Sequence, residues 1–403
     1  MNKETIAYLV NCGSSSQKNY LLRVVYNQDG EVISIIPLLE VASERLNTNG
    51  SIVKAKDGNG ELIFKEEKDN MPHKEACEIG LKAICQVLPL NKVELIINRA
   101  VNVGKYMAVT YLNEETEKAM EDNCDRAPEH NPPALESIRL MKEKMPNVPQ
   151  VLVPDSSAHV TIPRVAYNYA IPLELAEKYN LRKMGFHGSV VLNAMRELES
   201  ACSENMQCII AHLGNGCSIT AAKDGKVQDT SMGLTPLTGT VMGTRSGDID
   251  PTLITILASK LDTSAEEVIK ILNKKSGLLG LSGIGSDFRD LLDACIVGDD
   301  RAMLAVEIFL YRACLEISKY QMPIQGMKQL VFSGGIGENS DYVRERICKN
   351  FAYLGVKLDH EKNKVRVNQC TKISADDSAV EVFIIPADEM SEMVRQSIAL
   401  KTK

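Results

Sequence analysis

Residues 209–251 read IIAHLGNGCSITAAKDGKVQDTSMGLTPLTGTVMGTRSGDIDP. The apolar run Ile209 to Ala211 predicts a buried strand, Gly214-Asn215-Gly216 a tight turn, and the segment through Ile219 and Val227 further β structure. Glycines let a backbone approach an anion closely, and successive N–H groups followed by the Ser218 hydroxyl can form a nest for phosphate. His212 stands directly before the turn. Further on, Gly243-Thr244-Arg245-Ser246-Gly247-Asp248 sets one arginine among small residues, a planar fork able to grip a carboxylate or phosphate through two parallel hydrogen bonds. A plain hairpin followed by a surface arginine would also read this way, so the rest of the chain has to decide.

The same order of features opens the chain. Ala7 to Val10 is an apolar strand, Asn11-Cys12-Gly13-Ser14-Ser15-Ser16 a glycine- and serine-rich turn, and Asn19 to Val25 the returning strand. Two copies of one phosphate-facing hairpin predict a duplicated α/β protein whose halves each offer a loop to one ligand across an interdomain cleft. A Walker loop is the rival phosphate binder, but no GxxxxGK[ST] occurs, and both glycine turns lead into strands where a Walker loop would open a helix.

A length of 403 residues implies two domains. A net charge of −7 argues against nucleic acid or an anionic membrane as partner, so an anionic substrate would need local arginines. The 11 cysteines show no metal-ligand spacing; with no signal peptide they predict reduced thiols and a cytoplasmic protein, Cys12 and Cys217 being small buried fillers. No apolar run approaches the roughly 20 residues of a membrane helix.

Other candidates sit where strands end. Val93 to Ile97 is a strand delivering Arg99, and Gln150 to Pro154 a strand delivering Asp155, which could hold Mg2+, orient a nucleophile or simply cap the next turn. A stiff loop, Ala127 to Pro133 with Glu129 and His130, precedes a helix from Ala134. Gly185-Phe186-His187-Gly188 places His187 at the start of a helix from Val190, a position that disfavours a charged imidazole and suits a neutral one facing an anion. Residues 42–72 read as a hairpin with a loop and 276–289 as a flexible loop in which Asp287 and Arg289 could be an exposed ion pair. Ser333 to Asn339 reads as a glycine turn before a helix near Ser340, and Met390 to Leu400 as a closing helix on the first domain.

Taken in order, NCGSSS, NRAV, HNPP, PDSSAH, GFHG, HLGNGCS, GTRSGDIDP, SGIGSDFR, SGGIGEN and PADE resemble the motifs of the acetate kinases, the acetokinase family of the sugar kinase, Hsp70 and actin superfamily. The resemblance implies a two-domain duplicated actin-like (ribonuclease H-like) fold. Its expected domains are 1–155 with 390–403, and 156–389, the latter carrying the nucleotide and the contacts of a homodimer. It implies reversible transfer from ATP to a small carboxylate with Mg2+, or Mn2+, as metal. By motif position, Asn11, Ser14, Ser16, Gly214, Asn215 and Gly216 would meet phosphate, and Asp287, Phe288, Arg289 and Gly335, Ile336, Gly337, Glu338, Asn339 the nucleotide. Arg99 and Arg245 would hold the carboxylate and the group in transfer, His187 and His212 its oxygens. Asn11, Asp155 and Glu389 would serve the metal, and Val101, Glu129, Phe186 and Pro236 would line the acyl pocket. The family's HRVVHGG is here Asn98 to Gly104, its leucine before HNPP is Glu129, and the phenylalanine of DTAFH is Ala158. Those departures leave open an acid larger or more polar than acetate, propionate included. Pyrophosphate as donor, or a nucleotide-binding switch or sensor without turnover, are further alternatives.

Overall fold

The computed structural model describes residues 2–202 and 206–402. The first sheet begins with the hairpin of β1 (Lys3–Cys12) and β2 (Gln17–Tyr26), continues with β3 (Val32–Glu44), and gains an outer hairpin of β4 (Ser51–Asp57) and β5 (Leu62–Lys68) in the region where one is expected. With β6 (Leu95–Ala100), β7 (Thr110–Tyr111) and β8 (Gln150–Pro154) its order is β5-β4-β3-β2-β1-β6-β8-β7. The second sheet is built from β9 (Gln207–Leu213), β10 (Cys217–Lys223), β11 (Lys226–Thr230), β12 (Gln329–Ser333), β13 (Thr371–Lys372) and β14 (Glu381–Ile384), in the order β11-β10-β9-β12-β14-β13.

The duplication is visible strand by strand. β3-β2-β1-β6-β8-β7 matches β11-β10-β9-β12-β14-β13 in position, chain order and direction: two antiparallel pairings, two parallel ones and an antiparallel edge. The two glycine turns are the β1/β2 and β9/β10 corners. The chain divides into two compact units, Met1–Ser157 with Asp388–Lys403, and Ala158–Ala387.

Period-2 alternation explains how the first sheet is covered on both faces. Tyr8, Val10, Ile96 and Leu152 point into one core beneath the helices His73–Val87 and Asn131–Lys144. Ala7, Leu9, Leu95, Ile97, Val151 and Val153 point into the other, closed by Met393, Val394 and Ile398 of the C-terminal helix Glu389–Lys401. In the second unit Cys208, Ile210, Val331 and Phe383 pack on Val191, Ala194 and Leu198 of the helix Gly188–Ala201. Each such aliphatic side chain contributes about 1.5–3 kcal/mol on burial, so neither sheet depends on a single contact.

Three local readings need correction. The helix after the stiff loop starts at Asn131, ahead of the expected Ala134, because Pro132 and Pro133 fall in its first turn, where no N–H is needed. Residues 276–289 contain the short helix Gly277–Ser282, and Asp287 caps a further helix, Phe288–Ile296. Gly334–Asn339 is itself a helical turn. β3 carries Pro37 inside a strand, accommodated by a register shift against β2 between Leu21 and Leu22. The described residues contain no helix long and apolar enough to cross a membrane, and all 11 cysteines are free thiols.

Candidate active site

In the first unit three adjacent parallel strands, β1, β6 and β8, bring Asn11, Arg99 and Asp155 to their carboxyl ends. Arg99 meets Asp155 as a two-pronged pair, Nε to Oδ1 and Nη2 to Oδ2, each at 2.8 Å. Its Nη1 donates to Asn11 Oδ1 at 3.1 Å and lies 3.9 Å from Glu389 Oε2, to which Asn11 Nδ2 donates at 3.4 Å. Burial alone would lower the Arg99 pKa, but the charges of Asp155 and Glu389 outweigh it and raise it above its ordinary value. The guanidinium therefore stays charged and oriented. Asp155 does not cap a turn; it fixes the plane of Arg99.

Ser14 and Ser16 lie exposed on the first glycine turn, which is closed by Gly13 N–H to Ser16 O at 2.8 Å. Cys12 behind it is buried, and burial pushes its thiol up. Val101 is buried just past Arg99. Its loop is latched by a residue given no role from sequence: Asn131, fully buried, takes the Asn102 N–H on Oδ1 at 3.2 Å and donates Nδ2 to the carbonyls of Asn102 at 2.8 Å and Met120 at 3.0 Å. A buried asparagine ahead of two prolines was the available signal. Glu129 is half-buried in the turn before that helix.

In the second unit the Gly214–Gly216 turn is a hub. His187 takes the N-cap position of the helix Gly188–Ala201 in a left-handed conformation (φ 59°), and its Nδ1 lies 3.0 Å from Ser218 Oγ at the start of β10. Its ring stands 4.5 Å from that of His212 on β9. A methyl on Gly216 would sit 3.3 Å from His187 Nε2 and 3.6 Å from Arg245 Nη1, so both cationic or imidazole groups look onto one face of the turn. A methyl on Gly214 would sit 3.7 Å from the N–H of Gly335, which brings the third glycine motif to the same turn. Cys217 is buried beneath, its thiol pushed up to about 12 by desolvation, as expected of a filler.

The Arg245 loop is closed by two hydrogen bonds between Gly239 and Asp248, N–H to Oδ1 at 2.8 Å and Asp248 N–H to Gly239 O at 2.9 Å. Arg245 Nη1 donates to the Pro236 carbonyl at 3.2 Å, so the half-buried proline expected in the acyl pocket also aims the arginine. Phe186 is buried between Gly185 and His187. Gly185 (φ 72°) lies against the buried His159 ring of PDSSAH, which a side chain there would strike.

Three further motif positions have surroundings of their own. Ala158 belongs to the hydrophobic core of its unit with Ile162, Val191 and Ala194, and so departs from the family phenylalanine inside the core. Phe288 is 5% exposed and stacks on Phe309 at 5.2 Å, a core residue in a stretch read as nucleotide-binding. Asp287 accepts from the N–H and side chain of Arg289 on an exposed helix start, which brings its carboxyl down to about 2, chiefly through the Arg289 side chain. In the Gly334–Asn339 turn, Gly335 and Ile336 remain accessible, Asn339 donates to Gly335 O at 2.9 Å, and Gly337 is buried.

Among the described residues no group of three or more His, Cys, Asp or Glu could hold a metal ion. The oxygen donors Asn11, Asp155 and Glu389 do gather around Arg99, a hard-donor set that fits Mg2+ kept largely hydrated and shared with phosphates.

The Acetokinase family profile matches residues 6–395. The chain is 43% identical over 391 residues to the acetate kinase of Thermoanaerobacterium thermosaccharolyticum, covering 94% of this chain and 95% of that one. It is 40% identical to that of Clostridium novyi, covering 96% of each. Among solved structures, a propionate kinase from Francisella tularensis superposes with a TM-score of 0.86 at 35% identity over 97% of this chain and 98% of the other. The Porphyromonas gingivalis acetate kinase superposes at 0.84, with 32% identity over 99% of each. With its profile, sequence and structure all matched nearly end to end, the chain belongs to the acetokinase family.

Proposed function

We propose that this chain transfers the γ-phosphoryl group of ATP reversibly to a short carboxylate, giving an acyl phosphate and ADP. The observation that carries this reading is the convergence of His187 Nε2 and Arg245 Nη1 on Gly216, in a turn whose backbone suits phosphate. A loose phosphoryl transition state needs little covalent help and much positioning and positive charge around three equatorial oxygens. In this reading His187, His212 and Arg245 hold those oxygens, and the Gly214–Gly216 N–H groups with Asn11, Ser14 and Ser16 steady the phosphates. Arg99 has five N–H groups, three of them engaged by Asp155 and Asn11, and the rest aim the attacking carboxylate. A carboxylate is already ionised at neutral pH, so no strong general base is required.

Val101, Phe186 and Pro236 would face the acyl chain, and Gly335 with Ile336 would seat the purine. Asn11, Asp155 and Glu389 would hold Mg2+, which when bound neutralises phosphate charge. A homodimer is part of the same proposal; sedimentation at micromolar concentration giving only monomer would remove it. The activity itself is tested by trapping acyl phosphate with hydroxylamine: hydroxamate should require ATP, metal and carboxylate together. Nucleotide binding without carboxylate-dependent product would leave a switch in its place.

A second reading, an acid more polar than acetate, is favoured by half-buried Glu129 and by Asn102, 1% exposed, where the family carries a leucine and a histidine. Acetate and propionate outrunning every polar acid in the same trap rejects it.

A further inference from the structure

The Gly334–Asn339 turn is held by its own glutamate. Oε1 of Glu338, a residue expected among the nucleotide contacts, accepts the N–H of Gly334 at 2.8 Å and the N–H of Ala387 at 3.0 Å. One carboxylate oxygen thus joins the first residue of the turn to the residue two positions before Glu389 in the chain. The far end of the turn is clamped as well, since Arg344, 2% exposed, donates to the carbonyls of Gly337 and Glu338 at 2.9 Å each and to Asn363 Oδ1 at 2.7 Å. Beyond Ala387, the Asp388 side chain takes the Ser391 N–H at 3.0 Å and so caps the helix on which Glu389 is the first residue.

We propose that Glu338 is a positioning residue through which the nucleotide seat and the metal carboxylate depend on each other. The proposal rests on the functional reading above. Hydrogen bonds from two backbone N–H groups to one ionised oxygen are stronger than neutral ones, so a turn settled against a purine and the path of residues 386–388 share a common anchor. Linkage makes the dependence reciprocal: nucleotide on the turn favours metal at Glu389, and metal favours nucleotide.

The test is calorimetric titration of ADP with Mg2+ and with chelator, for the wild type, Glu338→Ala, Glu338→Gln and Ala387→Pro. The ratio of the two affinities reads the coupling and needs no turnover. Glu338→Ala is expected to lose roughly tenfold of the Mg2+-dependent gain, a typical coupling magnitude. Glu338→Gln, which keeps an Oε1 acceptor without the charge, should retain part of it. Ala387→Pro removes the second donor while leaving Glu338 in place and should lower the gain like the alanine variant, which keeps the test decisive should Glu338→Ala not fold. Equal loss of affinity with and without Mg2+ would make Glu338 a local support and overturn the proposal, as would a glutamine variant no better than alanine. A wild type that fails to bind ADP, or binds it without regard to Mg2+, removes the nucleotide reading itself and the proposal with it.

Discussion

Arg99 is aimed before any ligand arrives, because Asp155 fixes two of its N–H groups and Asn11 a third. Lysine in its place would keep the charge but lose the planar fork. Arg99→Lys should therefore lower carboxylate-dependent turnover by about 10²–10³, the range for removing one preorganised donor, with the rise in carboxylate KM read in the same assay. Gly216 makes the complementary case in the second unit. It has no left-handed requirement, so Gly216→Ala should fold and melt like the wild type, while its methyl, 3.3 Å from His187 Nε2, occupies the ground where phosphate would lie. Its phosphoryl transfer should fall at least tenfold, and unchanged turnover would remove the turn from the site. Most of these residues were legible because motif and strand end coincide. The Asp155–Arg99 pair was not, since it depends on β6 lying beside β8, a pairing between residues 56 apart. The burial of Phe288 was not legible either, because an aromatic next to Asp287 and Arg289 looks the same in sequence whether its ring is exposed or in a core.

At the level of elements, loops carrying active groups are held by glycines and caps. Gly277 adopts φ 60° and lies so close to the backbone of Met242 and Arg245 that any side chain would collide with both. Gly277→Ala should combine that clash with a left-handed penalty of about 1–2 kcal/mol, lowering the unfolding midpoint and shifting Arg245. The helix Phe288–Ile296 makes a pH prediction. The Asp287 carboxyl is depressed to about 2, so its support for the helix is complete above the unfolded value near 3.9 and fades as pH falls through 2. Asp287→Ala should cost roughly 0.5–1 kcal/mol above pH 5, seen as faster amide exchange along that helix, with the difference shrinking towards pH 2. The helical turn at Gly334–Asn339 was illegible for a physical reason. Glycine disfavours helix by about 1 kcal/mol per residue, and this turn is kept helical by Glu338 and Arg344, partners that local sequence does not reveal.

Across the whole molecule, the duplication read from two short glycine motifs extends to every strand of the matching six-strand set. It was legible because both faces of each sheet are buried, which makes the central strands continuous apolar runs. β3 escaped notice because Pro37 interrupts its pattern, and the short edge strands because two residues carry no period. Burial also separates thiols: Cys85 is exposed, whereas Cys12 and Cys217 are buried with raised thiol pKa values. An alkylating reagent at pH 7.5 should label Cys85 in the native protein and reach Cys12 and Cys217 only after unfolding, as read by peptide mass. Membership of the acetokinase family fixes the type of chemistry.

The most direct test is phosphorus NMR of the purified protein with MgATP and a carboxylate, comparing the wild type with Arg99→Ala and Arg245→Ala. The wild type should produce one acyl phosphate per ADP, none without the carboxylate, and either variant should slow that signal by about a hundredfold or more. ATP consumed with no acyl phosphate, or both variants keeping wild-type rates, would contradict the assignment of these arginines to a carboxylate phosphoryl transfer.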